Sequence, residues 1–213
     1  MMQQRRKMMK KTIVVLLTAA LLFFLVPTNL MATITGADLK TYDCPFLLTS
    51  GGQGAGSKTL RLLLNQTKKF TYGENADFYL EDETPARYTL IDSGKYTTLV
   101  IVMSVTEKGL GASGITIEDE IKYLKEVIKK AEAQNMPIVA VSMEKDARSK
   151  ISTNGNERVI DTVCPHADWI ITIKDNNTDG RFTTLGEKYN IPVTIVDKPL
   201  ELVKVLPSIF IKK

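Results

Sequence analysis

One histidine and two cysteines in 213 residues leave this chain poor in the side chains that perform most enzyme chemistry. With His166 as the sole imidazole, no Ser-His-Asp or Cys-His nucleophile can be assembled around it. It follows Pro165 just ahead of a strand-like run, on the sheet edge opposite the loops that would carry a ligand. Two cysteines exclude a disulfide-dense small scaffold and a self-contained four-cysteine zinc site. Aromatic residues are 7% of the chain and are not interleaved with a basic patch, which removes the usual nucleic-acid surface. Nor is there an apolar run of the roughly 20 residues a spanning helix needs. What is present, 44% hydrophobic and 24% charged residues, suits one folded domain, alone or with a tail.

The tail is residues 1–37. Arg5, Arg6, Lys7, Lys10 and Lys11 form a basic run, an uncharged apolar stretch follows from Thr12 to Val26, and Pro27, Thr28 and Asn29 break it. This is the order of a secretory signal, with the alternative of an uncleaved N-terminal anchor. Cleavage is expected after Ala37 (Thr35-Gly36-Ala37) or after Ala32 (Leu30-Met31-Ala32), the former having the smaller residue at −3. No lipobox leads into Cys44, so export without lipidation is expected, with membrane contact only through this segment if it stays on. The formal +4 charge resides here, because the segment holds five basic and no acidic residues; residues 38–213 are close to neutral. Export permits a disulfide between Cys44 and Cys164, against two separate thiols.

In residues 38–213, taken as a single domain, short apolar runs alternate with segments of helical period. Pro45–Ser50, Thr98–Ser104, Ile138–Met143, Trp169–Lys174 and Pro192–Val196 read as strands buried on both faces of a parallel sheet. A further strand is expected within Ala76–Leu80 or Arg87–Ile91. Thr116–Gln134 is the clearest helix, with Thr116 and Asp119 placed as a capping box. Others centre on Leu60–Leu64, Val159–Val163 and Phe182–Tyr189, and a short closing helix spans Glu201–Ile211, interrupted at Pro207. This alternation predicts an α/β, three-layer Rossmann-like or flavodoxin-like domain with a mostly parallel sheet of about five strands.

Ligands of such sheets bind at the carboxyl ends of the strands, here the loops Gly51–Lys58, Thr106–Gly114, Glu144–Ser152 and Asp175–Arg181. The first loop, with Gly51, Gly52, Gln53, Ser57 and Lys58, brushes against the phosphate-loop pattern but breaks it. Counted from Gly52, Ser57 stands where the second glycine belongs. The second is a literal G-x-G-x-x-G at Gly109, Gly111 and Gly114, set too far past its strand for a dinucleotide fingerprint and read as a flexible or anion-cradling loop. Glu144, Asp146, Asp175 and Asp179 offer either a hard-cation site or partners for Arg148 and Arg181, with solvated loop charges as the plain alternative. Trp169 opens a buried strand and belongs to the core.

Four elements share a resemblance. Phe46-Leu47-Leu48-Thr49-Ser50-Gly51-Gly52-Gln53, Lys108-Gly109-Leu110-Gly111-Ala112-Ser113-Gly114-Ile115, Ala147-Arg148-Ser149 and Asp179-Gly180-Arg181-Phe182-Thr183 resemble the bacterial domain-of-unknown-function family numbered 6305. The resemblance runs from Phe46 to about Asp197 and implies an exported single α/β domain; it implies no activity. Around Arg148 the family pattern has more glycine and a second arginine, where this chain has Ala147 and Ser149.

The expected function is therefore a non-enzymatic, extracytoplasmic binding module without a cofactor. Its small polar or anionic ligand, or a protein partner, would sit over the first two loops. Contacts would come from Gly51, Gly52, Gln53, Ser57, Lys58, Gly109 and Gly111, with Arg148 as charge partner. One alternative is a metal-dependent hydrolase or phosphoryl-transfer enzyme using Glu144, Asp146 or Asp179. Another is an assembly role through a sheet edge or Phe70–Ser93.

Overall fold

A computed structural model describes residues 33–35, 40–81, 89–145 and 147–212. Most of the signal-like segment, including Ala32 and Gly36–Ala37, lies outside the described residues, as does Asp146.

The described residues form nine strands: β1 (Thr33–Thr35), β2 (Tyr42–Asp43), β3 (Phe46–Gly51), β4 (Phe78–Glu81), β5 (Thr98–Met103), β6 (Ile138–Ser142), β7 (Trp169–Ile173), β8 (Val193–Val196) and β9 (Phe210–Ile211). The main sheet runs β4-β3-β5-β6-β7-β8-β1. Its first six strands are parallel, and β1 pairs antiparallel with β8, Thr33 opposite Ile195 and Thr35 opposite Val193. The further strand expected within Ala76–Leu80 or Arg87–Ile91 is β4, and β1 widens the sheet beyond the expectation. The extra strand β1 comes from inside the segment read as a signal or anchor, where a three-residue run is too short to declare itself by periodicity. A separate ribbon joins β2 to β9 in parallel.

Among the described residues, six helices cover the sheet: α1 (Gly56–Gln66), α2 (Glu107–Ala112), α3 (Ile117–Ala133), α4 (Gly155–Val163), α5 (Arg181–Tyr189) and α6 (Leu202–Ile209). Each buried strand sends alternate residues to opposite faces. Leu47, Leu99, Ile101, Ile138 and Ile170 meet Leu124 and Ile128 of α3, Val159 and Val163 of α4 and Phe182 of α5. Phe46, Leu48, Val100, Val139 and Ile171 meet Leu60 and Leu64 of α1 and Leu202 and Leu206 of α6. Because both faces are covered, the period-two pattern disappears from the sequence and only continuous apolar runs remain. Trp169 is fully within this core, its indole N–H donating to Thr194 Oγ1 at 3.0 Å. The capping box of α3 forms as expected: Thr116 Oγ1 accepts from the Asp119 amide, and Asp119 accepts from the Thr116 amide.

Cys44 and Cys164 are both free and buried, each packed in the core on a different face of the sheet. Of the two alternatives, separate thiols are what the fold holds.

The parallel part of the sheet starts in β3, steps outward to β4, and returns to the other side of β3 at β5. Strand order therefore reverses between β3 and β5, the place where open α/β sheets bind their ligands.

Candidate functional site

At that reversal point the two loops are stitched to each other. Ser104 N–H donates to Gly51 O at 2.8 Å, Gly54 N–H to Ser104 O at 2.8 Å, and Thr106 N–H to Gly52 O at 3.2 Å. Gly52 is at φ +113°, and a Cβ there would lie 2.6 Å from Ser104 O and 2.3 Å from a Val105 methyl carbon. Only glycine allows so close a seam.

The second glycine motif differs from the expectation of a loop. Gly109 and Gly111 lie within α2, whose N-cap Thr106 accepts from the Gly109 amide at 3.0 Å. A Cβ at Gly109 would stand 2.0 Å from Gln53 O, so this glycine lets the helix settle against the first loop. Gly114, left-handed at φ +66°, follows the helix end, where Gly114 N–H bonds Gly111 O and Ile115 N–H bonds Leu110 O. G-x-G-x-x-G is here a packed helix with its C-terminal stop.

An internal carboxylate occupies the anion position over the first loop. Glu120, in the first turn of α3 and wholly buried, takes the Gly52 amide at 2.8 Å and faces Gln53 Nε2 at 3.4 Å. Gln53 sits at φ +58°, an uncommon backbone region for a non-glycine residue. Its side-chain oxygen accepts from Ser113 Oγ at 3.1 Å, so the loop is gripped from α2 and α3 together. Ser57, in the first turn of α1, is buried with no hydrogen-bond partner for its hydroxyl, and Lys58 beside it is exposed. Glu144, past the end of β6, lies close to the start of α1. Burial raises its pKa above the usual carboxylate range, and the Ala55 N–H offsets part of that.

A second polar cluster joins the other two loops. Arg148 Nε donates to Glu157 at 2.7 Å, Nη1 to Asn176 O at 2.5 Å and Nη2 to Asp179 at 2.9 Å, while its guanidinium lies 5.4 Å from the Phe182 ring centre. Its donors are largely taken up within the protein. Glu157, 5% exposed, also accepts the Ser149 amide at 2.9 Å and has Arg181 Nε at 3.1 Å. Arg181 reaches outward to Asp161 as well. The arginine beside Asp179 holds that carboxyl below its ordinary range. Asn176 closes the cluster, donating to Ser142 Oγ at 3.0 Å and to Glu144 O at 2.9 Å. Of the two fates open to these loop carboxylates, Asp179 pairs with an arginine. Among the described residues, no three His, Cys, Asp or Glu side chains gather to hold a metal ion.

The four sequence elements singled out above thus resolve into two adjoining clusters on one sheet edge. A family model described as Domain of unknown function (DUF6305) matches residues 43–210. The chain belongs to the DUF6305 family. No curated protein matches it.

In this DUF6305 domain one concavity of about 580 Å³ is lined by Asp161 of α4, Asp179, and Arg181, Thr184, Lys188 and Tyr189 of α5. Another, about 690 Å³, lies by Cys44, Asp77, Lys95 and Lys212, at the start of the strands. His166 is also at that end, bonded to Glu132 at 2.6 Å. Glu120, Asn156 and Glu157 were not singled out by sequence. Each lies in the first turn of a helix, where an acidic or amide side chain is ordinary and gives no sign of burial.

Proposed function

We propose that this domain is a non-catalytic binding module that works outside the cytoplasm. Its ligand is a small polar solute bearing a carboxylate or comparable anion, and its seat is the cleft between α4 and α5. The observation that carries this reading is the composition of that cleft. Arg181 and Lys188 supply cationic donors, Asp161 and Asp179 supply acceptors for an ammonium or hydroxyl, and Leu185 and Tyr189 give an apolar wall. A volume of about 580 Å³ is within the usual range for small-molecule sites. Arg181 is held from behind by Glu157 and keeps 32% of its side chain exposed, so its guanidinium is both positioned and reachable.

Two expected contacts carry less weight in this arrangement. Arg148 already serves Glu157, Asn176 and Asp179, and the Gly52 amide already serves Glu120. The case against catalysis lies in the nucleophiles. Burial pushes the Cys44 thiol up to about 11 and raises Cys164 further still, away from the thiolate a nucleophile requires. Export rests on the basic run, apolar stretch and helix breaker of residues 5–29.

A thermal-shift panel of amino acids, dicarboxylates, phosphosugars and divalent metals tests the reading. An anionic or zwitterionic solute is expected to raise Tm, and Lys188→Ala, on an exposed position, is expected to weaken that rise by at least threefold in ligand concentration. A Tm that responds to none of these solutes refutes the binding site. A response to a divalent metal alone favours the metal-dependent alternative.

A further inference from the structure

We propose that Ala32–Thr33 is the processing bond of the exported chain, so that the mature protein begins with strand β1. This rests on the export part of the reading above and goes beyond its binding part.

By sequence alone the two bonds compete. Thr35-Gly36-Ala37 has the smaller residue at −3, and Leu30-Met31-Ala32 also ends in alanine, six residues after the apolar stretch ends at Val26. The sheet separates them. Thr33, Ile34 and Thr35 pair with Ile195, Thr194 and Val193 of β8, three β-branched residues laid along the edge of the core sheet. A cut after Ala37 would carry this strand away with the leader. The backbone amides and carbonyls of Val193–Ile195 that face β1 would then become an open edge, the kind of surface that templates pairing with other chains. A cut after Ala32 removes the basic run and the apolar stretch and leaves the strand whole at the new terminus. The mature sheet then has seven strands, with β8 covered by its own chain.

The test is the N-terminus of the full-length chain, carrying a C-terminal tag, recovered from the extracytoplasmic fraction of an expressing bacterium. Edman degradation and intact mass are expected to read Thr33. Ala32→Arg is expected to abolish that terminus and accumulate precursor, while Ala37→Arg leaves it unchanged. A chain beginning at Asp38 overturns the inference with export intact. An extracytoplasmic chain that keeps its first residues overturns it too and shows an anchor. A full-length chain found only in the cytoplasm overturns the export reading itself.

Discussion

Gly109 and Gly111 stand two residues apart in one short helix, and alanine at each is expected to act with opposite sign. At Gly111 nothing lies within 4 Å of an added Cβ, so Gly111→Ala meets open space. Relief of glycine's backbone entropy should stabilise by about 0.5–1 kcal/mol, toward the low end this close to the helix terminus. At Gly109 the same gain is offered, but the new methyl lands 2.0 Å from Gln53 O, 2.6 Å from Thr106 Oγ1 and 2.9 Å from Gln53 C. Two of those three atoms are backbone and cannot rotate away. Forcing a methyl into a filled site costs about 1–3 kcal/mol. The helix gain is common to both variants, so their difference isolates the clash. With a urea m-value of about 2 kcal/mol/M, the midpoints should separate by about 0.5–1.5 M, Gly111→Ala above the parent and Gly109→Ala below it. Midpoints that rise together would refute the seam between α2 and the first loop, and with it the reading of this glycine motif as packing.

Other perturbations bear on the same edge. Arg148→Ala leaves the buried Glu157 with only Arg181 and the Ser149 amide and should cost about 3 kcal/mol in urea unfolding, whereas Asp179→Ala, 58% exposed, should cost about 1 kcal/mol or less. For Glu144, whose carboxyl is raised by burial, the folded state holds its proton more tightly than the unfolded chain. The associated stability is complete below the unfolded value and is lost as pH rises through the folded one. Glu144→Gln should therefore flatten the stability profile just above the ordinary carboxylate range; profiles that stay parallel would argue against it. Alkylation of the purified protein in denaturant without reductant should label both cysteines, and under native conditions it should label neither quickly; loss of both labels in denaturant would contradict the separated thiols.

Much of the fold is legible because its signals are local. Ile138–Ser142 and Trp169–Ile173 announce themselves as unbroken apolar runs, and Thr116 with Asp119 announces the start of α3. The site is less legible because its key groups depend on tertiary placement. Glu120 follows Glu118 and Asp119 and reads as one of three carboxylates favouring a helix N-terminus; only the approach of the Gly52 loop makes it a buried acceptor. In Gly109-Leu110-Gly111, spacing suggested a loop, yet Thr106 caps a helix there and the glycines are used for contact and not for an anion. Arg148 and Asp179 were visible as possible partners, 31 positions apart, but nothing in the spacing shows that the same arginine also holds Glu157. Strand β1 was hidden for a different reason: its three residues sit inside a stretch whose composition speaks of transport.

The first turn of α4 ties the two polar clusters together. Asn156 accepts the Val105 amide at 2.8 Å on the side of the glycine loops, and the next residue, Glu157, receives Arg148 on the other. Neighbouring positions on one rigid helix therefore hold segments that follow three different strands, β5, β6 and β7. Loosening either cluster tugs on the same turn, so this rim opens as one cooperative unit. Ligand seated at Arg181 would slow hydrogen exchange not only around α5 but also at the Val105 amide, in a loop it never touches.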